Sequence, residues 1–141
     1  PPPKAIESYA SEESAYKEYA AQVLGLLSGS VKKILTEPGR FIVGHFGVLV
    51  AEIQYIKRTP FRNFVILDSG MNHLMRPALY EAFHMIWPFS APTTMAYEKT
   101  DVVGPICEST DVLARDRLLP TYLKEGDRLV VFDAGAYGAV M

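Results

Sequence analysis

Residues 41–57 read FIVGHFGVLVAEIQYIK, with Val, Ile, Phe and Tyr throughout and glycines at 44 and 47. β-Branched and aromatic residues favour strands, and a glycine inside a strand weakens it and often marks a bend. The stretch therefore predicts one long strand that bends at a glycine. Residues 64–67, 102–107 and 129–134 have a similar composition and predict further strands.

The rest of this β-rich part is predicted to be irregular. Residues 72–86 are expected to form a short helix or an irregular crossing, and a polar loop is expected around residues 88–100. Lys124-Glu125-Gly126-Asp127 is a tight turn before the last strand. From about residue 45 onward the chain is thus predicted to be mostly β.

The segment before residue 41 begins with a helical pattern instead. Ser11 is a residue type that caps helices, and the acidic residues 12 and 13 suit the positive end of a helix dipole. Apolar residues then recur at helical spacing along one face, namely Tyr16, Ala20, Val23 and Leu27. Residues 28–30, Ser-Gly-Ser, predict the end of this helix, and residues 31–36 predict a short strand. A helix followed by a strand is the unit from which α/β barrels are built.

Composition excludes several classes of function. The 141 residues carry a formal net charge of −2 with scattered basic residues, so we expect no nucleic-acid or anionic-membrane surface. The longest apolar stretch, residues 41–51, is too short to span a bilayer. The N-terminus has no signal-peptide pattern, and one cysteine forms no internal disulfide, so a cytoplasmic location is expected. The three histidines lack metal-ligand spacing, and no metal site is predicted.

Four short segments carry the candidate chemistry. They are EPGR at 37–40, MNHLMRPALY at 71–80, GPICESTD at 104–111 and DAGAYG at 133–138. Each segment alone also suits a surface turn or a packing role. Together and in this order, they resemble the diaminopimelate decarboxylases, a branch of the alanine-racemase-like enzymes that use pyridoxal 5′-phosphate (PLP). The resemblance runs from about residue 15 to the last residue.

The resemblance implies an α/β plus β architecture. Residues 1–44 would be the last helix and strand of a PLP-binding (β/α)8 barrel. Residues 45–141 would belong to a mostly antiparallel β-sandwich or β-barrel C-terminal domain, and both parts would be incomplete. The activity it implies is the conversion of meso-diaminopimelate to L-lysine and CO2 by a homodimer with shared active sites.

The resemblance also implies which residues contact the cofactor. Glu37 of the segment Glu37-Pro38-Gly39-Arg40 would meet the pyridine nitrogen of PLP and keep it protonated. Arg40 is a permanently charged fork suited to phosphate or carboxylate oxygens. Tyr137, between Gly135-Ala136 and Gly138, would contact the PLP phosphate and the substrate.

For the substrate, the resemblance implies four further roles. Arg76 and Tyr80, four residues apart, would share one helical face and hold the distal carboxylate of diaminopimelate. Cys107 would return a proton to the α-carbon after CO2 has left, a step that a thiol can perform near neutral pH. Glu108 would pair with the distal ammonium, and both Cys107 and Glu108 would reach into the neighbouring subunit's site.

The sequence departs from the family pattern in three places. No lysine of this chain lies in the family's Schiff-base motif, so we expect the isolated chain to lack decarboxylase activity. The glycines that the family carries before the first helix are replaced here by residues 1–4, Pro-Pro-Pro-Lys, and proline has no N–H for a phosphate. His45 stands where a small polar residue is expected.

Two other functions compete with this one. A related decarboxylase acting on ornithine, arginine or carboxynorspermidine would typically carry an aspartate after the cysteine, whereas Glu108 follows Cys107 here. A non-catalytic interaction module would pair with a full-length partner. It would have no chemical need to keep the candidate site residues Glu37, Arg40, Arg76, Cys107, Glu108 and Tyr137.

Overall fold

A computed structural model describes residues 5–90 and 96–141 of the chain. It divides into two compact units, Pro1–Glu37 and Pro38–Met141. The described part of the first unit is dominated by one helix, α1 (Ala5–Leu27). The second unit contains all the strands that the structure describes.

Two predictions for the first unit are wrong in detail. The helix begins at Ala5 rather than at Ser11, because residues 5–10 are mostly types that the helix tolerates well. Residues 31–36 do not form the predicted strand and are exposed. A strand needs a neighbour to which its N–H and C=O groups can bond, and none of the described strands pairs with this segment.

The described residues of the second unit form two short helices, one 3₁₀ turn and six strands. In chain order they are α2 (Gly39–Val43), the 3₁₀ turn Gly44–Phe46, β1 (Leu49–Arg58), β2 (Asn63–Leu67), α3 (Arg76–Tyr80), β3 (Ile86–Pro88), β4 (Tyr97–Val103), β5 (Val112–Pro120) and β6 (Arg128–Val131).

The six strands form one mixed sheet in the order β3-β6-β1-β2-β4-β5. All neighbours pair antiparallel except β2 and β4, which run parallel. The two edge strands, β3 and β5, contact each other, so the sheet curls into a nearly closed barrel. The prediction of a mostly β second part is confirmed.

The interior of the barrel is apolar. Alternate residues of the strands point inward, as the period of two requires, and fill it with aliphatic side chains. The buried hydrophobic residues are Ala51, Ile53, Val65, Leu67, Leu74, Ile86, Val102, Leu113, Ala114, Leu119, Leu123, Leu129 and Val131. Leu74 belongs to the segment 71–80, so that candidate segment is anchored in the core.

The long bent strand predicted over residues 41–57 is wrong in its first half. Residues 39–46 form α2 and the 3₁₀ turn, and the strand begins only at Leu49. The reason lies at the other end of the chain. The N–H of Ala134 donates to the carbonyl of Gly47 at 2.9 Å, and the N–H of Gly135 donates to that of Gly44 at 3.0 Å. These long-range bonds hold the segment in a folded turn that its own composition does not favour.

Two strands were missed. β5 contains the charged run Arg115-Asp116-Arg117, which obscures the alternation of apolar and polar residues expected of a strand. In addition, Asp116 has a positive φ of 51°, and the regular pairing with β4 is interrupted there. β3 lies partly within the predicted polar loop, and residues 91–95 of that loop fall outside the described residues. The predicted strands 102–107 and 129–134 end early, at Val103 and Val131. Each strand thus ends within two residues of a candidate segment, at 104–111 and 133–138 respectively.

Gly135 is expected to tolerate no side chain. A Cβ built there would overlap the carbonyl oxygen of Val43 and lie 2.7 Å from the backbone nitrogen of Gly47. We expect Gly135→Ala to lower the free energy of unfolding of this chain by about 3 kcal/mol, the upper end of the usual cost of overpacking, as measured by denaturant titration. Gly25→Ala is the matched control, because a Cβ at Gly25 meets nothing within 4 Å. Equal stability of the two variants would contradict the close backbone contact.

Candidate functional site

The first and last candidate segments meet in the second unit. α2, which carries Arg40, runs into the 3₁₀ turn Gly44–Phe46. The carbonyl of Gly44 in this turn accepts the N–H of Gly135, and the carbonyl of Gly47, just after the turn, accepts the N–H of Ala134. A side-chain contact reinforces this joint, since Nδ1 of His45 lies 2.7 Å from Oδ1 of Asp133. The unexpected His45 therefore has a structural partner in the loop of Tyr137.

The loop over residues 133–138 turns back on itself. Asp133 and Tyr137 both have left-handed backbone conformations, with φ of 62° and 53°. A Cβ at Gly138 would lie 2.7 Å from the carbonyl oxygen of Ala134 and 3.7 Å from Cδ1 of Leu74. The loop thus packs closely upon itself beside the segment 71–80, and it leaves the Tyr137 side chain half exposed.

A buried histidine lies where these segments come together. His84 is only 1% exposed, and its Nδ1 lies 2.8 Å from the carbonyl oxygen of Phe132. Burial lowers the pKa of His84; the hydrogen bond to Phe132 opposes this, the charge of Arg76 lowers the pKa further, Asp133 raises it and Arg40 lowers it. His84 therefore lies within the electrostatic reach of residues from three candidate segments.

Arg76 and Tyr80 share one face of α3, as their spacing predicts. Cζ of Arg76 lies 5.9 Å from the centroid of the Tyr80 ring, within the range of a cation–π contact. Nε of Arg76 is buried and has no hydrogen-bond partner within residues 5–90 and 96–141. Tyr80 as a residue is 60% exposed. The pair presents a cation and a phenol on one surface.

Cys107 and Glu108 lie in the exposed loop between β4 and β5. Oε1 of Glu108 accepts hydrogen bonds from the N–H and Oγ1 of Thr110, each at 3.2 Å, and from Oγ of Ser109 at 3.1 Å. The bond from the Thr110 N–H is the largest of the causes that lower the pKa of Glu108. Glu108 is thus held as an anion on the surface, next to a free thiol.

Asp111 was not predicted to have a role of its own, yet it joins two candidate segments. Its side chain is 3% exposed. Oδ1 accepts from the N–H of Met71 at 2.6 Å, and Oδ2 accepts from the N–H of Ile106 at 2.8 Å. A Cβ at Gly70 or Gly104 would overlap this carboxylate. Gly70, which directly precedes the segment 71–80, and Gly104, which opens the segment 104–111, were the available signal in the sequence.

Glu37 is described with the first unit, and Pro38 and Gly39 open the second. The carbonyl of Pro38 accepts a hydrogen bond from the N–H of Ile42 at 3.2 Å and so begins the turn of α2. The structure brings together the segments of Arg40, Arg76 and Tyr137, and it ties the Cys107 loop to the start of the segment 71–80.

Among residues 5–90 and 96–141, no three His, Cys, Asp or Glu side chains gather as metal ligands. None of the helices in the same ranges has the length and apolar character needed to cross a membrane.

Comparison with known proteins agrees with the family resemblance that the four candidate segments indicate. A family model described as the pyridoxal-dependent decarboxylase C-terminal sheet domain matches residues 12–135. The diaminopimelate decarboxylase of Helicobacter pylori is 41% identical over 135 residues, which are 95% of this chain and 33% of that protein. The chain thus spans about a third of the length of the curated relatives it matches.

The solved structures that resemble this chain include decarboxylases of the same kind. The crystal structure of diaminopimelate decarboxylase from H. pylori complexed with L-lysine has a TM-score of 0.76 at 40% identity, covering 88% of this chain and 30% of that one. An arginine decarboxylase from Paramecium bursaria Chlorella virus has a TM-score of 0.65 at 20% identity, covering 72% and 28%. The latter likeness shows the fold alone.

Asp111 is expected to stabilise the chain through the two backbone hydrogen bonds that it accepts at the base of the Cys107 loop. In Asp111→Asn the amide group would face one of the two backbone N–H donors, and that donor would lose its acceptor. We expect a loss of about 1–3 kcal/mol in the free energy of unfolding, measured by denaturant titration of this chain. Asp116→Asn is the control, because Asp116 is exposed and Asn tolerates its left-handed backbone. Equal stabilities of the two variants would show that the Asp111 bonds are dispensable.

The lowered pKa of His84 makes stability depend on pH. Near pH 6.5 the unfolded chain takes up a proton on this imidazole that the folded chain does not, so the free energy of unfolding falls as the pH drops below that value. The decrease is at most about 1.4 kcal/mol per pH unit, and it ends at the lowered pKa. We expect His84→Asn to have a smaller slope in unfolding titrations between pH 7.5 and 5. Identical slopes would rule out the buried neutral imidazole.

Proposed function

Since the chain belongs to the pyridoxal-dependent decarboxylases and comprises their C-terminal sheet domain, we propose that the protein that carries it converts meso-diaminopimelate to L-lysine and CO2. The proposal rests on one observation. The segments that carry Arg40, Arg76 and Tyr137 come together near the buried His84, in a chain about 40% identical to diaminopimelate decarboxylases. Residues 1–44 would belong to the cofactor-binding barrel and residues 45–141 to the C-terminal domain.

The residues present fit PLP as a cofactor. Its phosphate needs fixed positive charge and close backbone approach, which Arg40 and the tightly folded glycine loop around Tyr137 supply together. Glu37, Pro38, Gly39, Arg40 and Tyr137 are the residues proposed to hold it, with the Glu37 carboxylate at the pyridine nitrogen. When bound, PLP supplies an electron sink for the pair left behind by CO2.

Arg76 and Tyr80 are proposed to bind the distal end of the substrate. Diaminopimelate has a second amino-acid group there, and its carboxylate matches the planar, permanently charged fork of Arg76. The Tyr80 hydroxyl lies on the same face of α3 and offers a further donor. Ornithine has no distal carboxylate, so this pair favours diaminopimelate over ornithine.

Cys107 and Glu108 are proposed to act at the active site of a neighbouring subunit in a homodimer. Their loop projects from the sheet as an exposed segment held at its base by Asp111. The Cys107 thiol would donate a proton to the α-carbon, and the Glu108 carboxylate, kept anionic by its three hydrogen bonds, would receive the distal ammonium. A cytoplasmic location would keep this exposed thiol reduced.

The test uses the full-length protein that contains this chain, incubated with PLP and either meso-diaminopimelate, ornithine or arginine. We expect lysine to be the main product. In the same protein, Cys107→Ser should lower kcat by about 10²- to 10⁴-fold, because the α-carbon loses its proton donor. Ile106→Val, in the same loop, is the control and should keep the parental kcat.

Other outcomes would redirect the assignment. Faster release of CO2 from ornithine or arginine than from diaminopimelate would show that the faster-reacting amino acid, and not diaminopimelate, is the substrate. No turnover of any of the three would favour a non-catalytic interaction module. Unchanged kcat in Cys107→Ser would remove the proposed role of the thiol while leaving the substrate in place.

A further inference from the structure

Two residues of the loop 133–138 hold a backbone conformation that favours glycine. Asp133 has a φ of 62° and Tyr137 a φ of 53°. In this left-handed region a Cβ crowds the following carbonyl oxygen, which costs free energy, and a bulky residue such as tyrosine is rare there. Strain of this kind persists only where surrounding contacts fix the backbone, and it is frequent at binding sites. The contacts that fix this loop therefore bear on its function.

Hydrogen bonds on both sides of Asp133 fix its backbone. The carbonyl of Phe132 accepts a hydrogen bond from Nδ1 of His84 at 2.8 Å, and the N–H of Ala134 donates to the carbonyl of Gly47 at 2.9 Å. The two peptide groups that flank Asp133 are thus held, and the left-handed conformation lies between them. A third attachment starts from the Asp133 side chain.

This third attachment joins the loop to the turn beside Arg40. An ionised carboxylate only accepts hydrogen bonds, so Nδ1 of His45 donates to Oδ1 of Asp133, at 2.7 Å. His45 lies in the 3₁₀ turn that directly follows α2. A Cβ built at Gly44 in this turn would lie 3.4 Å from Cγ of Arg40, so the stem of Arg40 lies against the turn. One side-chain bond therefore connects the surroundings of Arg40 with the loop of Tyr137.

The folding of the loop passes this constraint on to Tyr137. A Cβ at Gly138 would lie 2.7 Å from the carbonyl oxygen of Ala134, so the residue after Tyr137 packs against the residue after Asp133. The N–H of Met141 donates to the carbonyl of Gly138 at 3.1 Å and closes the next turn. Tyr137 lies at the bend between these contacts, with its side chain half exposed. The direction of that side chain thus depends on backbone geometry that is set at residues 133 and 134.

We propose that His45 is a positioning residue for Tyr137: its hydrogen bond to Asp133 holds the loop so that the Tyr137 hydroxyl and the Arg40 guanidinium bind the same phosphate group of the cofactor. The inference rests on the proposed function, because it deepens the role of Tyr137 in cofactor binding. His45 acts through the loop and donates nothing to the phosphate itself.

Positioning can be separated from stabilisation because the bond is partly solvated. The side chains of His45 and Asp133 are 38% and 19% exposed, and a contact of this kind that water also reaches contributes little to the stability of the fold. We therefore expect His45→Leu to keep the fold and to alter the geometry of the loop. Arg58→Ala is the matched control, because it removes another exposed contact, between Nη2 of Arg58 and Oε1 of Glu98 at 2.9 Å.

The test compares PLP with pyridoxal, which lacks the phosphate, in titrations of the full-length apoprotein followed by absorbance. His45→Leu removes the donor, and we expect it to weaken PLP about tenfold while pyridoxal stays within about twofold, since only the phosphate loses a contact with Tyr137. In His45→Asn the side-chain amide places an N–H where Nδ1 was, so PLP affinity should stay within about threefold of the parent. Arg58→Ala should change neither affinity.

A double-mutant cycle shows whether the effect passes through Tyr137. Tyr137→Phe removes the hydroxyl and should also weaken PLP selectively, and His45→Leu added to it should weaken PLP no further. Asp133→Gly removes the acceptor of the bond, and glycine adopts the left-handed backbone without strain. It should therefore weaken PLP as His45→Leu does, and it decides the question if His45→Leu fails to fold.

The outcomes distinguish this inference from the proposed function. Unchanged PLP affinity or equal weakening of PLP and pyridoxal in His45→Leu, additive effects in the cycle, or no recovery in His45→Asn would overturn the positioning role while the cofactor site stands. Unchanged PLP affinity in Tyr137→Phe, or equal affinities of the parent for PLP and pyridoxal, would overturn both the proposed phosphate site and the inference.

Discussion

Two backbone hydrogen bonds, from Ala134 to Gly47 and from Gly135 to Gly44, hold the candidate site together. They join the first and last turns of the second unit, which are far apart in sequence. The approach is so close that Gly135 has no space for a Cβ. Because Arg40 precedes this joint and Tyr137 follows it, their relative position depends on this backbone geometry, which the contact between His45 and Asp133 reinforces. A site of this kind tolerates changes around it but not at the joint itself.

Asp111 also fixes two candidate segments relative to each other, but it does so through its side chain. Its two carboxylate oxygens each accept one backbone N–H, one from the start of the segment 71–80 and one from the loop of Cys107. Neither bond involves the side chain of the residue that donates, so these two bonds place no requirement on the side chains at 71 and 106. The two backbone N–H donors give each oxygen of this buried carboxylate a hydrogen-bond partner.

Residue types and spacing predicted the β character after residue 45 and the common face of Arg76 and Tyr80. The four candidate segments were singled out by their resemblance to a family, and the roles of their residues stay predictions. The turn at 39–46 could not be predicted, because contacts with residues 134 and 135 outweigh a local strand preference. β5 was not predicted because charged residues interrupt its pattern. The buried carboxylate of Asp101 in β4 accommodates them, since it accepts the N–H of Asp116 at 2.8 Å and lies 3.7 Å from Nη1 of Arg115. His84 and Asp111 were passed over because their roles depend on burial.

The two edge strands of the nearly closed sheet also bear on how the chain avoids self-assembly into fibrils. An open sheet edge is a template on which another chain can add a strand. β3 has only three residues and ends in Pro88, which has no N–H to offer to an incoming strand. β5 is longer, but the left-handed backbone at Asp116 and the flanking charges of Arg115 and Arg117 interrupt the flat, apolar edge that such addition requires. The same irregularities that hid β5 in the sequence therefore protect the folded domain against edge-to-edge aggregation.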